Sequence, residues 1–87
     1  MKASQHKPRP TTLPWRAMPR IVARMTAGAE AHGDADDRPG WLGVPDRELR
    51  DALARHLIAY MSGEDDEDHL AAIVCNGMML MDKEEGR

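Results

Sequence analysis

Residues 50–81, RDALARHLIAYMSGEDDEDHLAAIVCNGMMLM, decide the fold. They read as two helices joined by an acidic turn, and hence as a helical hairpin. In the first half, Leu49, Leu53, Leu57 and Tyr60, with Ala54, Ile58 and Met61, recur at helical spacing. That apolar face is broad enough to predict burial on more than one side. Asp46 is a fair N-cap behind Pro45, which places this helix at about 46–62. Asp51 and Arg55 form an i, i+4 pair on the other face, and His56 sits at the boundary between the two faces. In the second half, Leu70, Ile73, Val74, Met78 and Met81 give a core stripe for a helix over about 66–83. Around Met78 to Met81 the helix is apolar all round, which predicts cover from a second copy of the chain.

The turn between them, GEDDED, has two readings. Gly63 can take positive φ and end one helix, and Asp65 or Asp66 can cap the next. Glu67 and Asp68 then favour the positive helix end. Five acids followed at once by His69 exceed what capping needs, and a carboxylate-rich turn can hold Mg²⁺ or Mn²⁺ through oxygen. His69 and Asn76, seven residues apart, lie only about 20° apart at helical pitch. Asn76 is expected to be a buried amide bonding across the hairpin.

Upstream, Met18, Ile21, Val22, Met25 and Ala29 mark a first helix within about 15–32, with Gly33 as its stop. Pro19 is tolerated only in a first turn, so the regular helix begins near Met18. Gly28 inside it suggests a close backbone approach or an early fray. Arg16, Arg20 and Arg24 recur every four residues, as a solvated basic face or as a phosphate-facing ladder. The segment 33–45, GDADDRPGWLGVP, is a loop. Its Trp41 either folds back over the core or offers a stacking surface to a nucleobase. Residues 1–13 carry Pro8 and Pro10 and predict an extended arm, with Arg9 held stiffly between the prolines. The domain proper is expected over 14–83, with a frayed tail at 84–87.

The composition bounds the function. Eighty-seven residues with no Phe and seven Met make one small domain whose helix gaps are filled by flexible side chains. The formal charge is −3, which gives no global nucleic-acid signature, and no direct nucleic-acid binding is expected. Yet residues 1–24 hold six Lys and Arg and no acid, an asymmetry that can steer an anion. Cys75 is alone, so no intramolecular disulfide forms. No apolar run is long enough for a membrane span or a signal peptide, so a cytoplasmic protein is expected. His6 and His32 read as surface residues. His56 reads as either a hydrogen-bonded core-edge residue or a ligand.

The ordered segments KPRPTTLPW, IVARMTAGAEAHGD, Trp41, DALARHLIAYMSGED and HLAAIVCNGMMLM resemble the phage and bacterial dATP/dGTP diphosphohydrolase N-terminal family. That family is itself similar to the MazG-like all-α nucleotide pyrophosphohydrolases. The resemblance covers roughly residues 7–81. It puts weight on Arg9, Pro14, Gly28, Ala29, Gly33, Trp41, Asp51, Arg55, His56, Glu64, His69 and Asn76. The periodicities themselves predict an all-α fold of three helices, completed as a bundle by a homodimer or larger oligomer. The resemblance implies cleavage of a purine deoxynucleoside triphosphate to monophosphate and pyrophosphate with a divalent cation, Mg²⁺ or Mn²⁺. On that basis Asp51, His56 and His69 are the expected catalytic residues, and Asp51, Glu64, Asp68 and His69 the expected metal ligands. Arg9, Arg20, Arg24, Trp41, Arg55 and Asn76 are expected to bind substrate. The chain departs from the family at His32, where Tyr is usual, at Gly40 before Trp41, in a shorter linker before His69, and at Ala72, which replaces a His. The double glutamate signature of the MazG-like enzymes is not present as such. These departures favour a catalytically degenerate nucleotide-binding or protein-interaction module as the alternative.

Overall fold

A computed structural model describes residues 6–32 and 39–87, except for the side chain of His32. Residues 1–5 of the arm, Gly33 and the rest of 33–38 lie outside the described residues. The chain runs through two short 3₁₀ turns, Pro10–Thr12 and Trp15–Ala17, into helix α1, Met18–His32. A third 3₁₀ turn, Gly40–Gly43, precedes α2, Asp46–Met61, and α3, His69–Glu85. Among the described residues there is no strand, and the expected all-α fold of three helices holds. No helix is long and apolar enough to cross a membrane.

Local chemistry explains most of the boundaries. Pro19 falls in the first turn of α1, where its missing N–H is not needed. In the described part of the arm the chain turns at Pro10–Thr12, where the Thr12 hydroxyl and N–H both donate to the Arg9 carbonyl, at 2.7 and 3.0 Å. Gly63, at φ 79°, ends α2. Its N–H donates to the Tyr60 carbonyl and that of Glu64 to Ala59, the paired bonds of a left-handed helix stop. The start of α3 differs from expectation. Neither Asp65 nor Asp66 caps it; Asp68 does, accepting from the Ala71 N–H at 3.1 Å, so the helix starts at His69 rather than near 66.

At α2 the expected cap is also displaced. Pro45 is the N-cap, and Asp46, one residue inside, bonds no backbone N–H. Its carboxylate instead takes Lys83 Nζ at 2.7 Å and the Arg87 guanidinium. Lys83 also donates to the Val44 carbonyl. α3 continues to Glu85, and these contacts tie its end to the start of α2.

Helix α3 is the centre of the fold and packs against both α2 and α1, which do not pack on each other. A helix wedged between two neighbours needs close approach on two sides, and small side chains allow it. The buried positions of α3 are His69, Ala71, Ala72, Cys75 and Asn76. Of the predicted stripe of large residues, Leu70, Val74 and Met81 are exposed, while Ile73 and Met78 are half-buried. Of the predicted broad face of α2 only Leu49 is buried, with Ile58 and Met61 65% and 75% exposed; the other buried residue of that helix is Ala59, which the predicted face did not include. In the single chain that apolar surface stays uncovered. On α1, Ile21 is buried as expected, and its carbonyl accepts from the Cys75 thiol at 3.6 Å. Burial raises the Cys75 pKa, in keeping with an inert packing role.

Candidate functional site

Because α1 and α2 meet α3 but not each other, a cleft opens between them. It is a cavity of about 700 Å³, within the usual size for a small-molecule site. Ala72, Cys75, Asn76 and Met79 of α3 form the floor. One wall is Arg24, Met25, Gly28 and Ala29 of α1, and the other is Glu48, Leu49, Ala52, Arg55 and His56 of α2. Gly40, Trp41, Gly43 and Val44 close one end. The spacing in each wall is that of one helical face. Gly28 neither frays the helix nor meets a close neighbour; a Cβ built there touches nothing within 4 Å. Its missing side chain widens the cavity.

Five of the expected catalytic and substrate-binding residues therefore share one space: Arg24, Trp41, Arg55, His56 and Asn76. Trp41 is half-buried at the end of the cleft, where an aromatic face can cover a planar ligand. Asn76 is only 8% exposed. Its amide bonds to no described residue, which corrects the expectation of a bond across the hairpin. Among the described residues no buried side-chain nitrogen or oxygen lacks a partner, so the polar atoms of this amide open onto the cavity, where a ligand can meet them.

Behind His56 lies a short polar chain. His56 Nδ1 is 2.9 Å from His69 Nδ1, and His69 Nε2 is 2.7 Å from Asp66 Oδ1. His69 is 7% exposed. The hydrogen bond from His69 holds the Asp66 carboxyl below its ordinary pKa. Burial pushes His56 below its ordinary value of 6.5, opposed by the nearby Glu67, so His56 is neutral at pH 7. Arg24 joins the chain to the cavity wall by pairing with Glu67 at 2.8 Å.

Other sequence candidates are not gathered here. Asp51 is exposed, belongs to neither the cavity nor the histidine cluster, and forms no ion pair with Arg55. Five residues separate it from His56, which is about 140° around the helix. Asp68 is not a free ligand, because it caps α3 and accepts two bonds from Arg20, at 2.6 and 2.7 Å. Arg20 is thus neutralised outside the cavity, and Arg9 is exposed away from it. Glu64 is exposed, within reach of Asp66 and His69. The reading from sequence passed over Asp66 as a histidine partner, although its i, i+3 spacing to His69 carried that signal, and passed over Glu48 as a cavity acid.

The Arg20 pair and the cap hold Asp68 at a pKa of about 2, against an ordinary 3.8. A carboxyl with a depressed folded pKa stabilises the fold above its unfolded value and loses that contribution as pH falls. Asp46 and Asp66 are shifted the same way. Urea midpoints are therefore expected to hold above pH 4 and to fall between about 3.8 and 2. In Asp68→Asn, which keeps a capping side chain but not the charge, the fall is shallower. An unchanged slope would show that Arg20 contributes nothing through Asp68.

The fold and cleft define a class: a small all-α unit with a cationic, aromatic and imidazole-lined cavity between helices. More particularly, the family model described as "dATP/dGTP diphosphohydrolase, N-terminal" matches residues 1–87, and the chain belongs to that family. No curated protein and no solved structure matches it.

Proposed function

We propose that the cleft binds a purine deoxynucleoside triphosphate and that the chain takes part in its hydrolysis to monophosphate and pyrophosphate. The observation that carries this reading is the unpartnered Asn76 amide in a cavity shared with Trp41, Arg24 and Arg55. An amide can both donate to and accept from a purine edge, as asparagine does with adenine N6 and N7. The indole covers the base, and the two guanidiniums offer planar forks to phosphate oxygens. Membership of a family described as acting on dATP and dGTP supports the same substrate class. His56, neutral near pH 7, stands at the wall as a proton acceptor. A bound divalent cation would supply charge neutralisation at the phosphates and activation of water.

One observation favours a second reading, nucleotide binding without turnover. The expected oxygen ligands Asp51, Glu64 and Asp68 do not converge, and Ala72, 1% exposed on the cavity floor, stands where the resembling family has a His. The test is pyrophosphate release from dATP and dGTP with Mg²⁺ or Mn²⁺, alongside nucleotide-dependent melting temperature. Turnover that falls at least about 100-fold in the Arg24→Ala/Arg55→Ala double variant supports hydrolysis, because two charge-assisted contacts are lost. A melting shift without release selects the second reading. The absence of both overturns the assignment of this cavity to nucleotides.

A further inference from the structure

The indole at the end of the cleft is carried by a turn with little apolar holding of its own. Gly40–Gly43 contains no buried residue, and Trp41 itself is half-buried. The turn packs on α1 and α3, and a line of polar contacts ties it to the last turn of α3. The Val44 N–H donates to the Trp41 carbonyl at 3.1 Å, and the Val44 carbonyl accepts from Lys83 Nζ. Lys83 Nζ also meets the Asp46 carboxylate at 2.7 Å, and Arg87 closes on the same carboxylate. Trp41 and Val44 line the cavity, whereas Lys83, Asp46 and Arg87 do not.

We infer that Lys83 and Asp46 are positioning residues for Trp41, holding the segment from Gly40 to Val44 as the end wall of the cleft. The Lys83 side chain is only 13% exposed, and a cation so placed is stable only with its donors engaged. Two acceptors from two different elements meet it. One is the backbone carbonyl that follows the turn, and the other is a carboxylate in the first turn of α2. One nitrogen atom thus joins α3, α2 and the turn. The Lys83 and Arg87 bonds hold the Asp46 carboxyl below its ordinary pKa, so the acceptor is ionised at neutral pH.

The effect of this tie is local. The helices have buried apolar positions of their own, Ile21 on α1, Leu49 and Ala59 on α2, and Ala71, Ala72 and Cys75 on α3, whereas the turn has none. A segment without buried apolar contacts opens at lower cost than the elements it joins. Loss of the Lys83 donors therefore releases the turn before the helices. Cover of a base by the indole is made alike in the ground state and the transition state, so its loss weakens binding and spares the chemical step. That consequence rests on the nucleotide reading of the cleft; the placing of Trp41 in the free protein does not.

The test uses the full chain with the exposed Trp15 changed, Trp15→Phe, which leaves Trp41 as its one tryptophan. Acrylamide quenching of its fluorescence reads the turn without any nucleotide. Lys83→Met, of similar length but without donors, should raise the quenching constant about twofold, with helix content by circular dichroism unchanged. Lys83→Arg, which keeps a donor fork, should restore it. The Kd for dATP or dGTP should rise about 10-fold in Lys83→Met, and KM should rise with kcat held within about twofold. Should Lys83→Met fail to fold, Asp46→Asn, which leaves the lysine in place, is read in the same way. Unchanged quenching in a folded variant of either residue overturns the proposal. So does a parallel loss of helix content, or a fall in kcat with KM unchanged. Raised quenching with no nucleotide effect, even in the wild type, would leave the placing of Trp41 standing and remove the nucleotide reading.

Discussion

Replacing His69 with alanine is expected to lower the unfolding free energy by about 3 kcal/mol, as judged by urea denaturation. The ring is 7% exposed and both nitrogens are engaged, one by His56 and one by Asp66. Truncation leaves a void at the first turn of α3, where that helix meets α2. It also strands the His56 Nδ1, which then has no protein partner. Either effect alone costs a kilocalorie or more, and the two act at one place. The capping bond from Asp68 to Ala71 is untouched, so the loss is separable from that of a cap variant. A change below about 1 kcal/mol would show that the histidine–carboxylate chain is not part of what holds the hairpin together.

The second large effect has opposite signs in two measurements. Asn76→Leu is expected to raise stability by about 1 kcal/mol while weakening purine nucleotide binding about 10–100-fold. The residue is 8% exposed, its amide bonds to no described residue, and its polar atoms stay open to the cavity. Leucine has a similar shape and adds apolar surface to the cavity floor beside Ala72 and Cys75, which is the source of the expected gain. A ligand that bonds the amide would lose that contact. Thermal melts of the free and nucleotide-loaded variant read both signs together. Lower stability in the free protein would mean that the amide itself contributes to holding the fold. Unchanged nucleotide affinity would remove Asn76 from base recognition.

The existence and order of the helices were legible because they rest on local rules. Pro19 can stand only in a first turn, Gly63 can take positive φ, and the apolar spacing of α1 and α2 has a helical period. Faces were less legible. In α3 the largest apolar residues suggested the buried side, yet Ala71, Ala72, Cys75 and Asn76 are inside while Val74 and Met81 look out. Hydrophobicity rewards bulk, but a helix between two neighbours is limited by distance, and small side chains win there. The acidic turn was ambiguous for a related reason. Any of its carboxylates can cap, and the arrival of Arg20 from α1 decides that Asp68 does.

Read along the chain alone, the residues determined three helices, a Gly63 stop, a lone buried thiol and a set of cations, imidazoles and one indole suited to an anionic aromatic ligand. Each follows from backbone preference or side-chain chemistry within a few residues. Only the tertiary structure decided which of those groups meet. It placed Arg24, Trp41, Arg55, His56 and Asn76 around one cleft and left Asp51, Arg9 and Arg20 outside it. The reason is geometric: rotation of a helix about its axis by one residue, about 100°, moves a side chain from cleft to solvent. That rotation is set by what packs against the helix, here α3 held between two helices that do not pack on each other.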